Sequence, residues 1–267
     1  MSSMLKEKGR GEAWGLPIAI FVVLLGLWQA GLFHTVFGLR EYQLPYPLQI
    51  WEAMLARREV LLLDAIPYTG FEAVVGLLLG SGLGFACACL FVSVPFLRRG
   101  ALPIAASLNS IPIIAISPIA VLWLGFGQPS KIAVVAAMTF APMVVNAFKG
   151  LSSIDRQPIE LMESIAASRW EQFVKLRLPH ALPYVFSALK VGTTLAMIGA
   201  LVAEFFNAER GLGVTLSNNI QVARMPLAWA AIVVAALLGL ALYAAVSLVE
   251  RATIPWHISF RKTEESN

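Results

Sequence analysis

Long uncharged stretches alternate with short polar segments along this chain. Residues 13–39, 73–97, 100–130, 132–148 and 225–249 carry no Asp, Glu, Lys or Arg. A helix needs about 20 apolar residues to cross about 30 Å of hydrocarbon. The pattern therefore predicts an all-α integral membrane protein with six transmembrane helices, at about Trp14–Phe33, Pro67–Val94, Ala101–Phe126, Ser130–Phe148, Tyr184–Phe206 and Leu227–Val249.

Glycines and prolines inside two of these spans indicate how the helices pack. Four glycines of the second span would let another helix approach its backbone closely: Gly76, Gly80, Gly82 and Gly84. Pro112 and Pro118 in the third span leave backbone carbonyls without hydrogen-bond partners. Such a break is tolerated only against protein or a water-filled cavity. We therefore expect both spans to face other helices or a pathway.

Composition and charge support a membrane protein and suggest its orientation. The chain is 58% hydrophobic and 13% charged, whereas soluble domains are about 25% charged. The net charge of +4 comes from basic residues in short loops, so it is an orientation signal and not a nucleic-acid-binding surface. With both termini in the cytoplasm, fourteen of the 20 basic residues lie inside and six outside. We expect cytoplasmic tails at 1–13 and 251–267 and a six-helix transmembrane domain at 14–250.

The fifth span contains two charged residues, Lys190 and Glu204. They are separated by roughly 21 Å along a helix. We expect each side chain to extend toward the nearer membrane interface, in opposite directions.

The longest polar segment between spans, Lys149–His180, lies on the cytoplasmic side in this orientation. Its apolar residues recur at helical spacing, at Met162, Ile165, Ala166 and Phe173. Pro158 suits a helix start and Pro179 a helix stop, so we expect a short, stiff helix between them. An interfacial amphipathic helix is the alternative explanation.

This segment resembles the EAA loop of ABC importer permeases. The pattern of that loop is Glu-Ala-Ala, three residues, Gly, nine residues, Ile, any residue and then Leu-Pro. Glu160 takes the acidic position, Ala166 the glycine position and Leu176 the isoleucine position, and Leu178-Pro179 complete the pattern without a gap. The residues from 167 to 184 look like the nitrate/sulfonate/taurine branch of the superfamily.

Two departures from the pattern lie in the loop, because Leu161 and Met162 replace the paired alanines and Ala166 replaces the glycine. The resemblance extends to Leu44-Pro45, to the proline-broken third span and to Gly211-Leu212-Gly213. It implies a type I importer permease whose loop, within 149–183, forms a coupling helix seated in an ATPase subunit. The residues expected at this contact are Glu160, Met162, Ile165, Ala166, Ala167, Ser168, Arg169, Trp170, Phe173, Leu176, Leu178 and Pro179.

The resemblance also implies the partners and the location. An ATPase subunit would bind ATP and Mg²⁺, an extracytoplasmic binding protein would deliver the solute, and a second permease copy would complete a homodimer in the lipid of the cytoplasmic (inner) membrane. The chain has no Gly-x4-Gly-Lys-Ser/Thr sequence for a P-loop, so we expect no cofactor and no enzymatic activity of its own. Nitrate, sulfonates or taurine are the expected solutes, with a thiamine-precursor pyrimidine or riboflavin as the alternative.

Uncharged polar residues inside the spans are candidates for the translocation path: Asn109, Ser110, Ser117, Asn146, Thr193 and Thr194. Each one could equally serve a helix–helix contact.

Two other classes of membrane protein fit less well. A secondary transporter, not powered by ATP, would need ionisable residues near mid-membrane, but Glu72 and Glu204 lie near span ends and internal repeats are not evident. An intramembrane enzyme would need a nucleophile and a base, and Ser117 has no evident base. We predict no catalytic residue, and the scattered histidines suggest no metal site.

Overall fold

The computed structural model of the protein describes residues 2–94, 96, 100, 103, 107 and 112–255, without the side chains of residues 2–14, 113 and 207. These residues form helices and no strands. The helices are α1 (Ser2–Gln29), α2 (Leu32–Phe37), α3 (Pro47–Ala56), α4 (Ile66–Ser93), α5 (Ile113–Leu124), α6 (Gln128–Ser152), α7 (Arg156–Ser164), α8 (Arg169–Gln172), α9 (Leu178–Asn207), α10 (Leu212–Gln221) and α11 (Met225–Thr253).

Two π-helical turns join helices without interrupting them. Val60–Ala65 leads directly into α4, and Phe173–Arg177 leads from α8 into α9. As a result the segments Val60–Ser93 and Arg169–Phe206 are continuous over 34 and 38 residues. Both extend beyond the spans predicted from the sequence.

Within the described part of the chain, four segments are long and apolar enough to cross a membrane: Val60–Ser93, Gln128–Ser152, Arg169–Phe206 and Met225–Thr253. They correspond to the predicted second, fourth, fifth and sixth spans. Shorter apolar helices occur at Gly15–Gln29 and Ile114–Leu124. The all-α membrane fold is confirmed by these segments, while the count of six spans stays a prediction.

The predicted first and third spans differ from the structure in instructive ways. Helix α1 ends at Gln29, because Gly31 adopts a left-handed conformation (φ 81°) before α2 begins. Pro112 is the extended N-cap of α5, whereas Pro118 lies inside that helix. Thus only the second of the two prolines interrupts a helix, and the first one precedes it. Most of the third span before Pro112 lies outside the described residues.

Helices α4, α6 and α9 form the centre of the bundle. Glycines of α4 lie directly against α6: Gly76 faces Val135, and Gly84 faces Met143. Gly199 packs against Val135 near the start of α6, and Gly150 near the end of α6 packs against Ala181, so α9 runs antiparallel to the other two helices. Buried side chains of all three helices fill the core between them.

The remaining helices pack around this centre. Helix α11 runs antiparallel to α9, with Gly239 against Met197. Helix α1 touches the bundle through Trp28, whose ring meets that of Trp229 edge to face at 5.6 Å. The described apolar side chains of α1 before Trp28 are largely exposed. Such a helix requires lipid or another chain around it.

Candidate functional site

The polar loop between α6 and α9 contains the segment that the sequence singled out. A helix is present there as predicted, but α7 ends at Ser164 and does not continue to Pro179. A second, short helix, α8, follows after a turn at residues 165–168. Pro179 lies in the first turn of α9, so the prediction that it stops a helix is wrong. The π-helical turn Phe173–Arg177 ends two residues before this proline.

The turn after α7 is a Schellman motif centred on Ala166. The Ala167 N–H donates to the Met162 carbonyl at 3.0 Å, and the Ala166 N–H donates to the Glu163 carbonyl at 2.9 Å. This pattern satisfies the last carbonyls of α7 and requires a left-handed residue at its centre. Ala166 has φ 53°. The structure thus gives a physical reason for glycine at this position of the EAA pattern.

The start of α8 is fixed by a capping box. Ser168 Oγ accepts a hydrogen bond from the Glu171 N–H at 3.2 Å, and the Ser168 N–H donates to Glu171 Oε2 at 3.0 Å. Lys175 Nζ donates to the other oxygen of Glu171 at 3.1 Å. These reciprocal bonds satisfy the free N–H groups of the helix start. The two short helices therefore meet in a defined turn.

The loop presents an exposed apolar surface made by Leu161, Ile165 and Trp170, which are 66%, 67% and 71% exposed. Exposed apolar side chains in a cluster mark a contact with another protein or with lipid. Sequence periodicity assigned Phe173 to this surface and omitted Leu161. Phe173 is half-buried: it packs against the core of α4, α6 and α9, and its ring also stacks on that of Trp170 at 6.0 Å, so its place in the ATPase contact stays a prediction.

The other residues expected at this contact divide into two groups by exposure. Exposed ones are Glu160, Ala166, Ser168 and Arg169, and half-buried ones are Met162, Ala167, Leu176, Leu178 and Pro179. The exposed group alternates along the chain with the three exposed apolar residues. The half-buried group joins the loop to the bundle.

Hydrogen bonds join the end of α6, before the loop, to the residues that follow α8. Arg177 donates from Nη1 to the Leu151 carbonyl at 3.0 Å, and His180 Nε2 is 3.2 Å from Ser153 Oγ. The backbones also approach closely, since a Cβ on Gly150 would lie 2.9 Å from Ala181 Cα. The end of α6 and the start of α9 are therefore tied to each other on either side of the loop.

Residues 76–255 match the family described as "Binding-protein-dependent transport system inner membrane component". The chain belongs to this family. The predicted identity as an ABC importer permease and the inner-membrane location are confirmed by this match and by the named relatives. Permeases of this class work with separate ATPase and binding-protein subunits.

Three related proteins align with most of the permease. It is 32% identical over 240 residues to the formylaminopyrimidine transport permease protein ThiX of Halalkalibacterium halodurans, covering 90% of this chain and 95% of ThiX. It is 32% identical over 251 residues to the riboflavin transport system permease protein RibX of Chloroflexus aurantiacus, covering 92% and 91%. Identity to the putative aliphatic sulfonates transport permease protein SsuC of Bacillus subtilis is 27% over 266 residues, covering 96% and 92%.

The fold of the permease is similar to a chain of the MetNI methionine ABC transporter, solved in inward facing conformations. The TM-score is 0.63 at 21% identity, and the match covers 72% of this chain and 95% of that chain. The similarity shows that the helix arrangement is that of an ABC importer permease.

None of the four described candidate path residues forms a hydrogen bond with another of the set. Ser117 is buried on α5, and its hydroxyl has no hydrogen-bond partner among the described residues. Asn146 Nδ2 donates to the Pro142 carbonyl of its own helix at 2.8 Å. Thr193 is buried and donates to the Lys190 carbonyl at 2.7 Å, while Thr194 is exposed. Asn109 and Ser110 lie outside the described residues. A path role for all six stays a prediction.

Of the two charged residues of α9, Glu204 does not extend to a membrane interface, contrary to the prediction, whereas the interfacial position of Lys190 stays a prediction. Lys190 forms an ion pair with Glu250 of α11. Glu204 is completely buried. Both side chains tie α9 to its neighbours, and sequence reasoning missed this because the partners are distant in the chain.

Glu204 lies at the centre of a buried network that joins three helices. Its Oε1 accepts a hydrogen bond from Thr69 Oγ1 of α4 at 2.7 Å, and its Oε2 accepts one from the Gly213 N–H of α10 at 2.7 Å. Thr69 Oγ1 in turn accepts from the Leu212 N–H at 2.9 Å. The first two N–H groups of α10 are thereby satisfied by side-chain oxygens of Thr69 and Glu204, as a buried helix start requires. The glycine-rich loop at Arg210–Gly213 is the sequence signal that belongs to this network.

Proposed function

We propose that this permease imports a small nitrogen heterocycle of the vitamin-precursor kind, received from an extracytoplasmic binding protein and driven by a separate ATPase. Two copies of the chain form the transmembrane pathway in the lipid bilayer, with both termini and the loop that contains α7 and α8 in the cytoplasm. The chain itself carries no ATPase site, since its sequence has no P-loop.

The exposed surface of Leu161, Ile165 and Trp170 carries the ATP-driven part of the proposal. The surface lies on two short helices with satisfied ends, so it can enter a groove of an ATPase subunit without unfolding. Its residues adjoin the exposed Glu160 and Arg169 in the sequence, which offer polar pairing at its edge. Apolar contacts ringed by polar residues are the usual arrangement of a specific protein interface.

A cavity between α9, α10 and α11 supports the choice of solute. Its volume is about 550 Å³, and apolar side chains line most of it, with the hydroxyls of Thr194 and Tyr243 among them. Among the described residues, no charged side chain contributes to this lining. Nitrate or a sulfonate would lose hydration there without gaining a counter-charge, at a high cost in free energy. A heterocycle can instead pack against the apolar wall and hydrogen-bond to a hydroxyl.

The percentages of sequence identity to the named relatives also favour a heterocycle. ThiX and RibX, named for a formylaminopyrimidine and for riboflavin, are each 32% identical to this chain. SsuC, named for aliphatic sulfonates, is 27% identical. The heterocycle class is therefore favoured over the anion class that the loop resemblance first suggested.

The ATPase contact is tested by placing a charge on the exposed apolar surface. The Ile165→Asp variant should lose co-purification with the ATPase subunit and lose transport, because an aspartate at this position would be desolvated in the interface. Gln157→Asp adds the same charge to an exposed position in the first turn of α7 and serves as the matched control. Full assembly and full transport by Ile165→Asp would contradict the proposed docking site.

The solute class is tested by uptake into proteoliposomes that contain the permease with its own ATPase and binding-protein subunits. Labelled formylaminopyrimidine, riboflavin, taurine and nitrate are supplied in parallel, with and without ATP inside. We expect ATP-dependent uptake of one of the two heterocycles. Uptake of taurine or nitrate alone would contradict the heterocycle class, and uptake that follows an ion gradient without ATP would contradict the importer mechanism.

A further inference from the structure

Helix α9 connects the buried network around Glu204 to the loop at the opposite end of the permease. Helix α9 starts at the loop that contacts the ATPase in the proposed function, and Glu204 lies about 39 Å along the helix from Leu178. The helix is continuous between these two points. A movement of the loop therefore reaches Glu204 as a rigid-body movement of α9.

Helix α10 is held to this end of α9 by unusually close packing. A Cβ on Gly213 would lie 2.5 Å from the Leu201 carbonyl oxygen and 2.7 Å from Glu204 Cβ. Gly211 has φ 114°, and a Cβ there would overlap the Glu204 carboxylate. The glycines thus allow the α10 start to sit directly on the carboxylate. Thr69, Glu204 and residues 211–213 are all buried.

The exposed side of α10 lines a polar pocket of about 280 Å³. Thr215, Asn218 and Asn219 come from α10, and Arg57 and Arg224 are on the facing segments. Arg210 of the adjoining loop pairs with Asp64 at 3.8 Å. Because three of its polar side chains come from one short helix, the shape of the pocket depends on where α10 is held.

We infer that Glu204 is a positioning residue for transport, which makes α10 and its polar pocket follow the movements of α9. The inference rests on the proposed function, in which α9 is moved from the cytoplasmic loop and the pocket faces the extracytoplasmic side. Glu204 touches no solute in this role. It acts through Thr69 and through the first N–H groups of α10, which it keeps in place while the bundle changes conformation.

Thr69 offers the sharper test because it can be changed without altering the shape of the core. Thr69→Val removes the hydroxyl that joins Glu204 to the Leu212 N–H, and Thr69→Ser keeps it. Ser81→Ala is the matched control, since Ser81 is buried on the same helix and its hydroxyl has no hydrogen-bond partner among the described residues. Solute transported per ATP hydrolysed is measured in proteoliposomes containing the whole complex. We expect a ratio at least about fivefold lower for Thr69→Val, because valine removes both buried hydrogen bonds of the hydroxyl, and an unchanged ratio for the other two variants.

A distance measurement separates positioning from mere stability. Spin labels at Asn218 and Ser164, both exposed, report the separation of α10 and the cytoplasmic loop with and without trapped ATP. In the parent protein and in Thr69→Ser the distance should shift between the two states with a narrow distribution. In Thr69→Val the distribution should widen and the shift should disappear, while the protein remains assembled.

Two results would overturn the inference. One is a normal transport ratio and a normal distance shift in Thr69→Val, and the other is an equal loss in Thr69→Ser and Thr69→Val. If either result is obtained while Ile165→Asp still abolishes transport in the same preparation, only the role of Glu204 is refuted. If Ile165→Asp also transports normally, the proposed function itself falls.

Discussion

At the scale of single residues, Ala166 shows how a small departure from a family pattern is tolerated. A residue in the left-handed conformation is needed to close the Schellman motif after α7. Any residue with a Cβ is strained there, because its Cβ lies close to the following carbonyl oxygen. Ala166 is exposed, so its methyl group gains nothing from burial that would offset this strain. The position is held by its two hydrogen bonds and not by packing.

Replacing Ala166 with glycine should therefore stabilise the turn by about 1 kcal/mol. Ala166→Val should destabilise it, because a β-branched residue is poorly accommodated at positive φ. Hydrogen–deuterium exchange of the Ala167 amide, which donates to the Met162 carbonyl, measures both effects. Exchange should slow in Ala166→Gly and accelerate in Ala166→Val.

Ala167→Gly is the control for this comparison, since Ala167 does not have a positive φ. It should not slow exchange, because glycine there only adds backbone freedom to the unfolded turn. Slower exchange in Ala167→Gly, or no difference between Ala166→Gly and the parent, would show that the turn is not strained at residue 166.

At the scale of helices, the glycines of α4 decide which helix it meets. Gly76, Gly80 and Gly84 recur every four residues and so lie on one face, while Gly82 lies on the opposite face. Ideal Cβ atoms on the first three would overlap α6, whereas Gly82 has no neighbour within 4 Å. Close contact between α4 and α6 follows, since membrane helices gain stability mainly from tight packing.

Gly80→Ala should destabilise the permease, because the new methyl group overlaps the Ala136 carbonyl and the Thr139 hydroxyl. Overpacking of this kind costs about 1–3 kcal/mol. Gly82→Ala adds the same methyl group on the open face and should be neutral or slightly stabilising. Thermal unfolding of both variants in detergent tests the difference. Equal melting temperatures for the two variants would contradict the packing of α4 on α6.

The spacing of glycines, the uncharged runs and the EAA pattern were sufficient to predict the membrane class, the loop and the close approach of a helix to α4, although Gly82 was wrongly included in that contact. They could not distinguish a proline that stops a helix from one that starts the next, as Pro179 does, because both positions suit proline. The break at Ala166 was also invisible, since alanine is a strong helix former. The burial of Glu204 depends on Thr69, 135 residues away, and no local pattern reports such a partner.

At the scale of the whole molecule, α9 extends from one face of the permease to the other. One end carries the exposed loop surface, and the other carries the Glu204 network and α10. Lys190 fastens the middle part of α9 to Glu250 near the end of α11. Transport that is driven from one face therefore requires the loop and α10 to lie on opposite sides of the membrane.

Site-directed labelling can test this orientation directly. The free thiols of Cys87 and Cys89 are first replaced by alanine, and single cysteines are introduced at Ser164 and at Asn218, which are both exposed. A membrane-impermeant maleimide should label Asn218→Cys in intact cells and Ser164→Cys only in inverted vesicles. This labelling pattern is expected because fourteen of the 20 basic residues lie on the side of the loop, which the positive-inside rule places in the cytoplasm. Labelling of Ser164→Cys from outside intact cells would put the loop beyond the reach of any cytoplasmic ATPase, and the docking site, the direction of transport and the role of Glu204 would all have to be abandoned together.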